Sequence, residues 1–202
     1  LLRSYHQGRH AIAQGLIDFD IRWSKIMASP PKDPDHPERG GVDPAELQAN
    51  FVKAGRYTAG VATHYPPDTA LTAPPAHQGL AEGFTVGMRF HSAPVVRLAD
   101  AKPVQLGHAA RADGAWRLYT FADTSARRLR ALAAFLADSP NSPLRRFTPA
   151  GADIDSVIDV RAVFQQGHRD LNVQELPPIL LPRKGSFGLI DYEKAYAPDL
   201  QG

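Results

Sequence analysis

Apolar positions recur at helical spacing in the N-terminal part of the chain. Five of them are separated alternately by four and three residues, which places them on one side of a helix from Ser4 to Met27: Ile12, Leu16, Phe19, Trp23 and Ile26. Pro30 and Pro31 then end the helical pattern. The following stretch, residues 28–42, is rich in proline, glycine and charge, and predicts a solvated loop.

A second helical series begins after that loop. Asp43 can cap the helix, Pro44 suits its first turn, and Glu46 completes a start that resembles a capping box. The apolar side is formed by Leu47, Phe51, Ala54, Thr58 and Val61. Pro66 and Pro67 end this series, and a loop rich in proline, alanine and threonine follows to about Gly83.

The period changes to that of strands beyond this loop. The predicted extended or strand segments are residues 84–90, 94–98, 104–110, 116–121, 154–164 and 187–192. Asp113-Gly114 predicts a tight turn before the strand at 116–121. Segment 154–164 is almost continuous in β-branched residues, as in a central strand covered on both faces. A helix lies between these two strands, with four residues predicted on its buried side: Leu129, Leu132, Phe135 and Leu136.

Residues 115–136 therefore read as a buried strand that passes through a tight turn into an amphipathic helix, with Arg127, Arg128 and Arg130 facing solvent. In a thioredoxin-like fold, that turn carries the paired redox cysteines, whereas this chain contains no cysteine. We expect an α/β protein whose C-terminal part is a thioredoxin-like mixed sheet with a right-handed crossover helix. A helical segment precedes it, and a boundary near residues 98–104 divides the chain into parts 1–100 and 101–202.

Composition narrows the classes of partner. The 202 residues include 23 Lys and Arg against 21 Asp and Glu, a balance that does not favour nucleic acid or an anionic membrane as partner. No apolar run reaches the ~18 residues of a membrane span. The absence of cysteine excludes disulfides and is compatible with a cytoplasmic location, which we expect. Because the sequence opens at Leu1 inside a helical pattern, we also expect it to belong to a longer protein.

Motifs for chemistry are sparse. The sequence has no GxGxxG, no GxxxxGK[ST] and no GxSxG motif, and Ser92 lies in no nucleophile elbow. His6 and His10 have the i,i+4 spacing of metal ligands but lack a third ligand nearby. Four other histidines are isolated in the sequence and are expected to have hydrogen-bonded structural roles: His64, His91, His108 and His168.

Two further groups are interpreted as structural. The carboxylate pairs Asp18/Asp20 and Asp153/Asp155 are expected to diverge into solvent, and residues 183–186 to form a solvated hairpin tip. The segment 55–60, with two glycines in a helical pattern, is a weak pocket candidate because close packing would explain them. Four aromatic residues in the middle third could form a pocket, although such a group more often belongs to a core: Tyr57, Tyr65, Phe84 and Phe90.

Four stretches carry a family resemblance that spans almost all of the chain. They are LLRSYHQGRHAIAQGLIDFDIRWSKIM, FVKAGRYTAGVATHY, GMRFHSAPVVRLADAKPVQLGH and LPRKGSFGLIDYEKAY. Together they resemble the C-terminal part of the FAD-dependent aromatic hydroxylases of the phenol 2-monooxygenase and 3-hydroxybenzoate 4-monooxygenase type.

The resemblance implies an enzyme that uses NADPH to reduce FAD and hydroxylates a phenolic ring with oxygen. It also implies a homodimer, an upstream flavin domain and a redox-inactive thioredoxin-like dimerisation domain in residues 101–202. Residues 1–100 would be the end of the flavin and substrate domain. No catalytic, cofactor-binding or metal residue is assigned within this chain, which is expected to hold no cofactor alone. The alternative is a free-standing, redox-inactive thioredoxin-like interaction module.

Overall fold

A computed structural model describes residues 2–67, 72, 74–90 and 92–198. The chain forms two compact units, Leu1–His91 and Ser92–Gly202. The sequence placed the boundary about nine residues later. The structure assigns Pro94–Arg97 to the C-terminal unit because these residues form a strand of its sheet.

The N-terminal unit contains two long helices, α1 (Leu2–Ala28) and α2 (Pro44–Thr58), which confirms both predicted helices. The predicted cap of α2 is also present: Asp43 Oδ1 accepts a hydrogen bond from Ala45 N at 2.8 Å, and Pro44 occupies the first turn. Short 3-10 turns occur at Pro37–Arg39 and Gln78–Leu80.

Aromatic rings join α1 to α2 in an antiparallel pair. Phe19 lies 6.2 Å from Tyr57 and Trp23 lies 6.3 Å from Phe51 between ring centroids. The Tyr57 hydroxyl donates to Ile12 O at 3.2 Å. This contact leaves much of each apolar side open, since no described residue of α2 is buried and Phe51 is 68% exposed.

The end of α2 explains why a glycine occurs at position 60. Gly60 has φ +69°, its N–H donates to Tyr57 O, and Val61 N–H donates to Arg56 O. This pattern is a Schellman motif, in which glycine follows the helix in a left-handed conformation. The helical pattern therefore stops at Thr58 and does not continue to Val61 as the sequence suggested.

The C-terminal unit is built on a five-stranded mixed sheet of order β2-β1-β7-β4-β3. A two-stranded hairpin, β5-β6, stands apart from it. The strands are β1 (Pro94–Arg97), β2 (Lys102–Gln105), β3 (Trp116–Phe121), β4 (Ile158–Val163), β5 (Arg183–Lys184), β6 (Leu189–Ile190) and β7 (Ala195–Pro198). The helices are α3 (Arg127–Asp138), which crosses between the parallel strands β3 and β4, and α4 (Pro143–Phe147).

Several predicted strands need correction. Residues 84–90 form turns with one isolated bridge, and residues 106–109 form a 3-10 turn after β2. The strand predicted at 154–164 is confined to residues 158–163, and that at 187–192 to the short β6. Strand β7 was missed, although it lies between β1 and β4 at the centre of the sheet.

The core lies between one face of this sheet and α3. Alternate strand residues meet the helix there, among them Val96, Leu118, Val160, Ala162 and Ala195. On α3 the buried residues are Leu129, Ala133 and Leu136, so the prediction that Leu132 and Phe135 are buried is wrong.

Strand β3 was also predicted as buried, and it is not. It forms an edge of the sheet, and its terminal residues Trp116 and Phe121 are 74% and 53% exposed. The predicted solvent exposure of Arg127, Arg128 and Arg130 on α3 is confirmed.

Ser142 is expected to be important for stability because it is completely buried at the start of α4. Its hydroxyl donates to Leu136 O at 2.7 Å and accepts from Leu144 N at 3.2 Å. We expect Ser142→Ala to lower the free energy of unfolding by roughly 1–2 kcal/mol, measured by urea denaturation. Ser186→Ala, at an exposed turn position, is the matched control. Equal stability of the two variants would contradict the assignment.

Candidate functional site

The turn between β3 and α3 is the position where the sequence suggested a redox site. Ala126 precedes the helix with φ 51°, and the Ser125 hydroxyl accepts from Arg127 N at 3.3 Å. The turn is held from the end of β4: Thr124 Oγ1 donates to Gln165 Oε1 at 2.9 Å, and Gln166 Nε2 donates to Thr124 O. Hydroxyl and amide groups thus fill the turn, and none of them is a redox group.

The same turn does not fit a flavin or nicotinamide dinucleotide. Such cofactors place their pyrophosphate on a glycine-rich turn at a helix N-terminus. Here the turn contains no glycine, and its hydroxyl already occupies the first free N–H of α3. We therefore derive no reaction step from this turn.

The charged residues of the unit meet on the sheet face opposite α3. Arg117 on β3 and Asp159 on β4 are cross-strand neighbours, with Arg117 Nε 3.1 Å from Asp159 Oδ2. Arg161 Nε lies 2.8 Å from the same carboxylate oxygen, and Arg161 Nη1 donates to the Tyr196 hydroxyl at 2.6 Å. The alternation of the strands separates this polar face from the apolar core.

A buried lysine lies at the centre of this face. Lys194, directly before β7, is 3% exposed, and its Nζ contacts three carboxylates. The distances are 2.6 Å to Asp159 Oδ1, 2.7 Å to Asp155 Oδ2 and 3.3 Å to Asp191 Oδ2. Lys184 Nζ adds a second contact to Asp155 Oδ2 at 3.0 Å. We call this group the Lys194 cluster: Lys184, Lys194, Asp155, Asp159 and Asp191.

Burial and pairing oppose each other in the protonation of this cluster. Burial alone would lower the pKa of Lys194, but hydrogen bonds to Asp155 and Asp159 hold it above 10.5. Burial alone would raise the pKa of Asp155, but the two lysine ammonium groups hold it below 3.8. Lys194 and Asp155 are therefore both charged at neutral pH.

The cluster lines an open cleft of about 530 Å³ that also includes Arg97, Arg117 and Arg161. Its acidic side chains all have basic partners, as in the contacts of Arg97 with Glu193 at 2.9 Å and of Arg117 with Asp113 at 2.6 Å. These ion pairs occupy the acidic groups that line the cleft. The arrangement is therefore a stabilising network, and it offers no nucleophile aligned with a base.

Among the other predicted positions, His108 lines this cleft. The rings of His6 and His10 on α1 lie 5.1 Å apart and are tilted by 37°, and no group of three or more metal-ligating side chains occurs in the described part of the chain. The Ser92 hydroxyl lies 3.0 Å from Gln105 Oε1 and accepts from Gly107 N. His91 lies outside the described residues. No helix among the described residues is long and apolar enough to span a membrane.

Two structural interpretations need correction. Asp155 was expected to face solvent, yet it is 8% exposed and belongs to the Lys194 cluster. Gly55 was expected to permit close packing, yet a side chain there would meet open space. The aromatic residues of that region separate: Phe84 stacks on Phe90 at 5.0 Å, whereas Tyr57 packs on α1.

The sequence contains one signal for the cluster, in β4. Asp159 and Arg161 interrupt the β-branched run of β4 at alternate positions. That pattern is typical of a strand with one polar face, and it argues against a strand covered by apolar groups on both faces. Lys194 itself carried no signal, because β7 was not predicted.

Comparison with known proteins gives the family. Residues 63–201 match the model of the phenol hydroxylase C-terminal dimerisation domain, and the chain belongs to this family. It is 53% identical over 206 residues to 3-hydroxybenzoate 4-monooxygenase from Comamonas testosteroni, covering 100% of this chain and 32% of that protein.

Two fungal proteins are also similar. The FAD-dependent monooxygenase terD of Aspergillus terreus is 33% identical, with 98% of this chain and 33% of that protein covered. The phenol 2-monooxygenase fsqG of Aspergillus fumigatus is 26% identical, with 98% and 31% covered. The chain thus spans about a third of the length of these relatives, and the resemblance found in the sequence is confirmed.

Replacement of the buried lysine should strongly destabilise the C-terminal unit. Lys194→Met leaves Asp155 with only the half-exposed Lys184 and removes the cation at Asp159 Oδ1, while Arg117 and Arg161 remain at Asp159 Oδ2. We expect a loss of about 3–5 kcal/mol in the free energy of unfolding near neutral pH. Lys184→Met is the matched control, with an expected loss within ~1 kcal/mol because Lys184 is half-exposed.

The difference in the free energy of unfolding between Lys194→Met and Lys184→Met should also depend on pH. Because the pKa of Asp155 is lowered in the folded state, its contribution is present above pH 3.8 and is lost as the pH falls through the lowered value. Urea denaturation of both variants from neutral to acidic pH measures this. A difference between the variants that does not shrink in acid would contradict the assignment.

Proposed function

We propose that this chain acts as the C-terminal dimerising part of a flavoprotein that hydroxylates a phenolic ring. The observation that carries the proposal is a folded C-terminal unit that matches a dimerisation-domain family and contains no arrangement for catalysis among its described residues. In this role the domain supplies a surface to a second subunit, and its charged side chains serve to stabilise the domain itself.

The mixed sheet with its crossover helix supports a thioredoxin-like origin of the C-terminal unit. The β3-α3-β4 segment has the arrangement in which a redox enzyme of that fold holds its cysteines. Here the turn is fixed by Thr124, Gln165 and Gln166. We propose that the fold is retained for its surfaces and has no redox activity.

The N-terminal unit supports a second contact, with an upstream flavin domain. Helices α1 and α2 expose large apolar side chains that the other helix does not cover, including Leu16, Ile17, Ile21, Phe51 and Val52. Exposed apolar surface of this extent favours burial against protein. Since the relatives are about three times as long as this chain, we propose that the remainder of such a protein covers these helices.

The proposed reaction is based on the names of the similar proteins. One of them is described as FAD-dependent, and others as monooxygenases of 3-hydroxybenzoate and phenol. We propose that the complete enzyme uses FAD, NADPH and oxygen on a phenolic substrate, with 3-hydroxybenzoate as the first choice, in the cytoplasm. The residues that bind flavin and substrate are assigned outside this chain.

Sedimentation equilibrium of the purified 202-residue chain, recorded also in the visible flavin band, tests the proposal. We expect a concentration-dependent dimer of twice the 22.0 kDa chain mass and no bound flavin. A monomer at all accessible concentrations would contradict the dimerising role. A stoichiometric yellow complex would contradict the assignment of the flavin site to other residues.

A further inference from the structure

Helix α3 has its charged residues at the wrong ends for its own dipole. Its first turn contains Arg127, Arg128 and Arg130 and no acidic residue, and its last turn contains Asp138 and no basic residue. A helix N-terminus carries partial positive charge and a C-terminus partial negative charge, so both ends are electrostatically unfavourable. Neither Arg128 nor Asp138 has an ion-pair partner in the described part of the chain.

The exposed side of the same helix carries an ordered stripe of four residues. Arg128, Ala131, Phe135 and Asp138 follow one another at spacings of three, four and three, which places them on one side of the helix. All four are exposed, and Phe135 is 46% exposed. We call these four residues the α3 stripe.

The α3 stripe lies away from the rest of its own unit. The opposite flank of the helix faces the segment after β4, because Arg130 Nη1 donates to Glu175 O at 3.1 Å. The stripe lies on the side of α3 turned away from its buried residues Leu129, Ala133 and Leu136. Trp116, at the β3 edge and on the sheet face that carries α3, is a second exposed aromatic residue of the unit, at 74%.

The order of the stripe is self-complementary. Read from one end it is cation, small, large, anion, and read from the other end it is the reverse. An antiparallel second copy of α3, related by a two-fold axis level with Ala133, places Arg128 opposite the partner subunit's Asp138. It also places Ala131 opposite the partner subunit's Phe135, so that a large side chain meets a small one.

We propose that the α3 stripe is the contact through which two copies of this chain dimerise, antiparallel and across a two-fold axis. This inference rests on the proposed dimerising function and specifies its surface. An isologous contact of this kind uses the same patch on both subunits and closes as a dimer. It covers Phe135, and it brings an anion to each helix N-terminus and a cation to each C-terminus.

The exposed tip of the β5-β6 hairpin is the competing surface. Phe187 is 89% exposed and Leu189 is 70% exposed. Their neighbours Lys184 and Asp191 are already occupied in the Lys194 cluster. The hairpin therefore offers apolar area but no free opposite charges, and self-complementarity favours the α3 stripe.

A charge exchange tests the proposal in the full 202-residue chain. By sedimentation equilibrium we expect Arg128→Glu and Asp138→Arg each to weaken the dimer about tenfold or more, because each variant sets like charges opposite each other. The double variant R128E/D138R should recover most of the wild-type dissociation constant. Arg128→Glu also places an anion at its own helix N-terminus, so the monomer should be no less stable to heat.

The apolar contact is tested separately. Phe135→Asp should raise the dimer dissociation constant at least about 30-fold, and Phe187→Asp, an exposed phenylalanine at the hairpin, should leave it unchanged. Circular dichroism establishes that each variant is folded. If Phe135→Asp does not fold, the dissociation constants of the single and double charge variants decide whether the α3 stripe is the dimer contact.

The outcomes separate the two proposals. A wild-type chain that is monomeric at all concentrations overturns the proposed dimerising function itself. A wild-type dimer that is insensitive to Phe135→Asp and to both single charge variants overturns only the α3 contact. If Phe187→Asp abolishes the dimer, the contact lies at the hairpin and the α3 contact is overturned. The α3 contact is also overturned if the double variant R128E/D138R dimerises as weakly as the two single variants.

Discussion

The C-terminal unit depends on the pairing of the Lys194 ammonium group with buried carboxylates. The central strand β7 pairs with β4 over only two residue pairs, so few backbone hydrogen bonds fix its position. Lys194, directly before it, accepts a backbone hydrogen bond from Ala162 N at 2.9 Å and sends its side chain to Asp155 and Asp159. Because a buried charge without a partner is very costly, this cluster tolerates only one register of β7 against β4.

The two faces of the sheet consequently have different roles. One face is apolar and carries α3, while the other is charged and internally paired. With both faces satisfied within the unit, the surfaces left for another protein include the outer side of α3 and the tip of the β5-β6 hairpin, and the self-complementary charges favour α3. A domain organised in this way is suited to recognition, and the unit matches a family described by dimerisation.

The sequence predicted the parts of the fold in which local pattern decides structure. Helices α1 and α2, the cap at Asp43, the turn before β3 and the order β3-α3-β4 were all accessible from spacing and turn residues. Strand β7 was not, because it has four residues, ends in proline and follows Glu193 and Lys194. A short strand buried on both sides by tertiary contacts leaves little pattern in its own sequence.

The errors on α3 have a related cause. Leu132 and Phe135 have the composition of buried residues, and spacing alone could not separate a core side from an interface side. The actual core side uses Ala133 and leaves Phe135 open. The Lys194 cluster could be anticipated only in part, since its members come from three separate segments that the strand pairing brings together.

The absence of cysteine makes one distance measurement particularly direct. Nitroxide labels can be attached at single cysteines introduced as Arg128→Cys, Ala131→Cys or Asp138→Cys, without any background thiol. In an antiparallel two-fold dimer, symmetry-related labels at 128 or at 138 are offset by about 15 Å along the helices, and those at 131 by about 6 Å. Pulsed dipolar spectroscopy should therefore give the shortest distance at 131, with longer and similar distances at 128 and 138. Distances that change steadily from 128 to 138, or labels with no dipolar coupling in a protein that sediments as a dimer, would contradict the account.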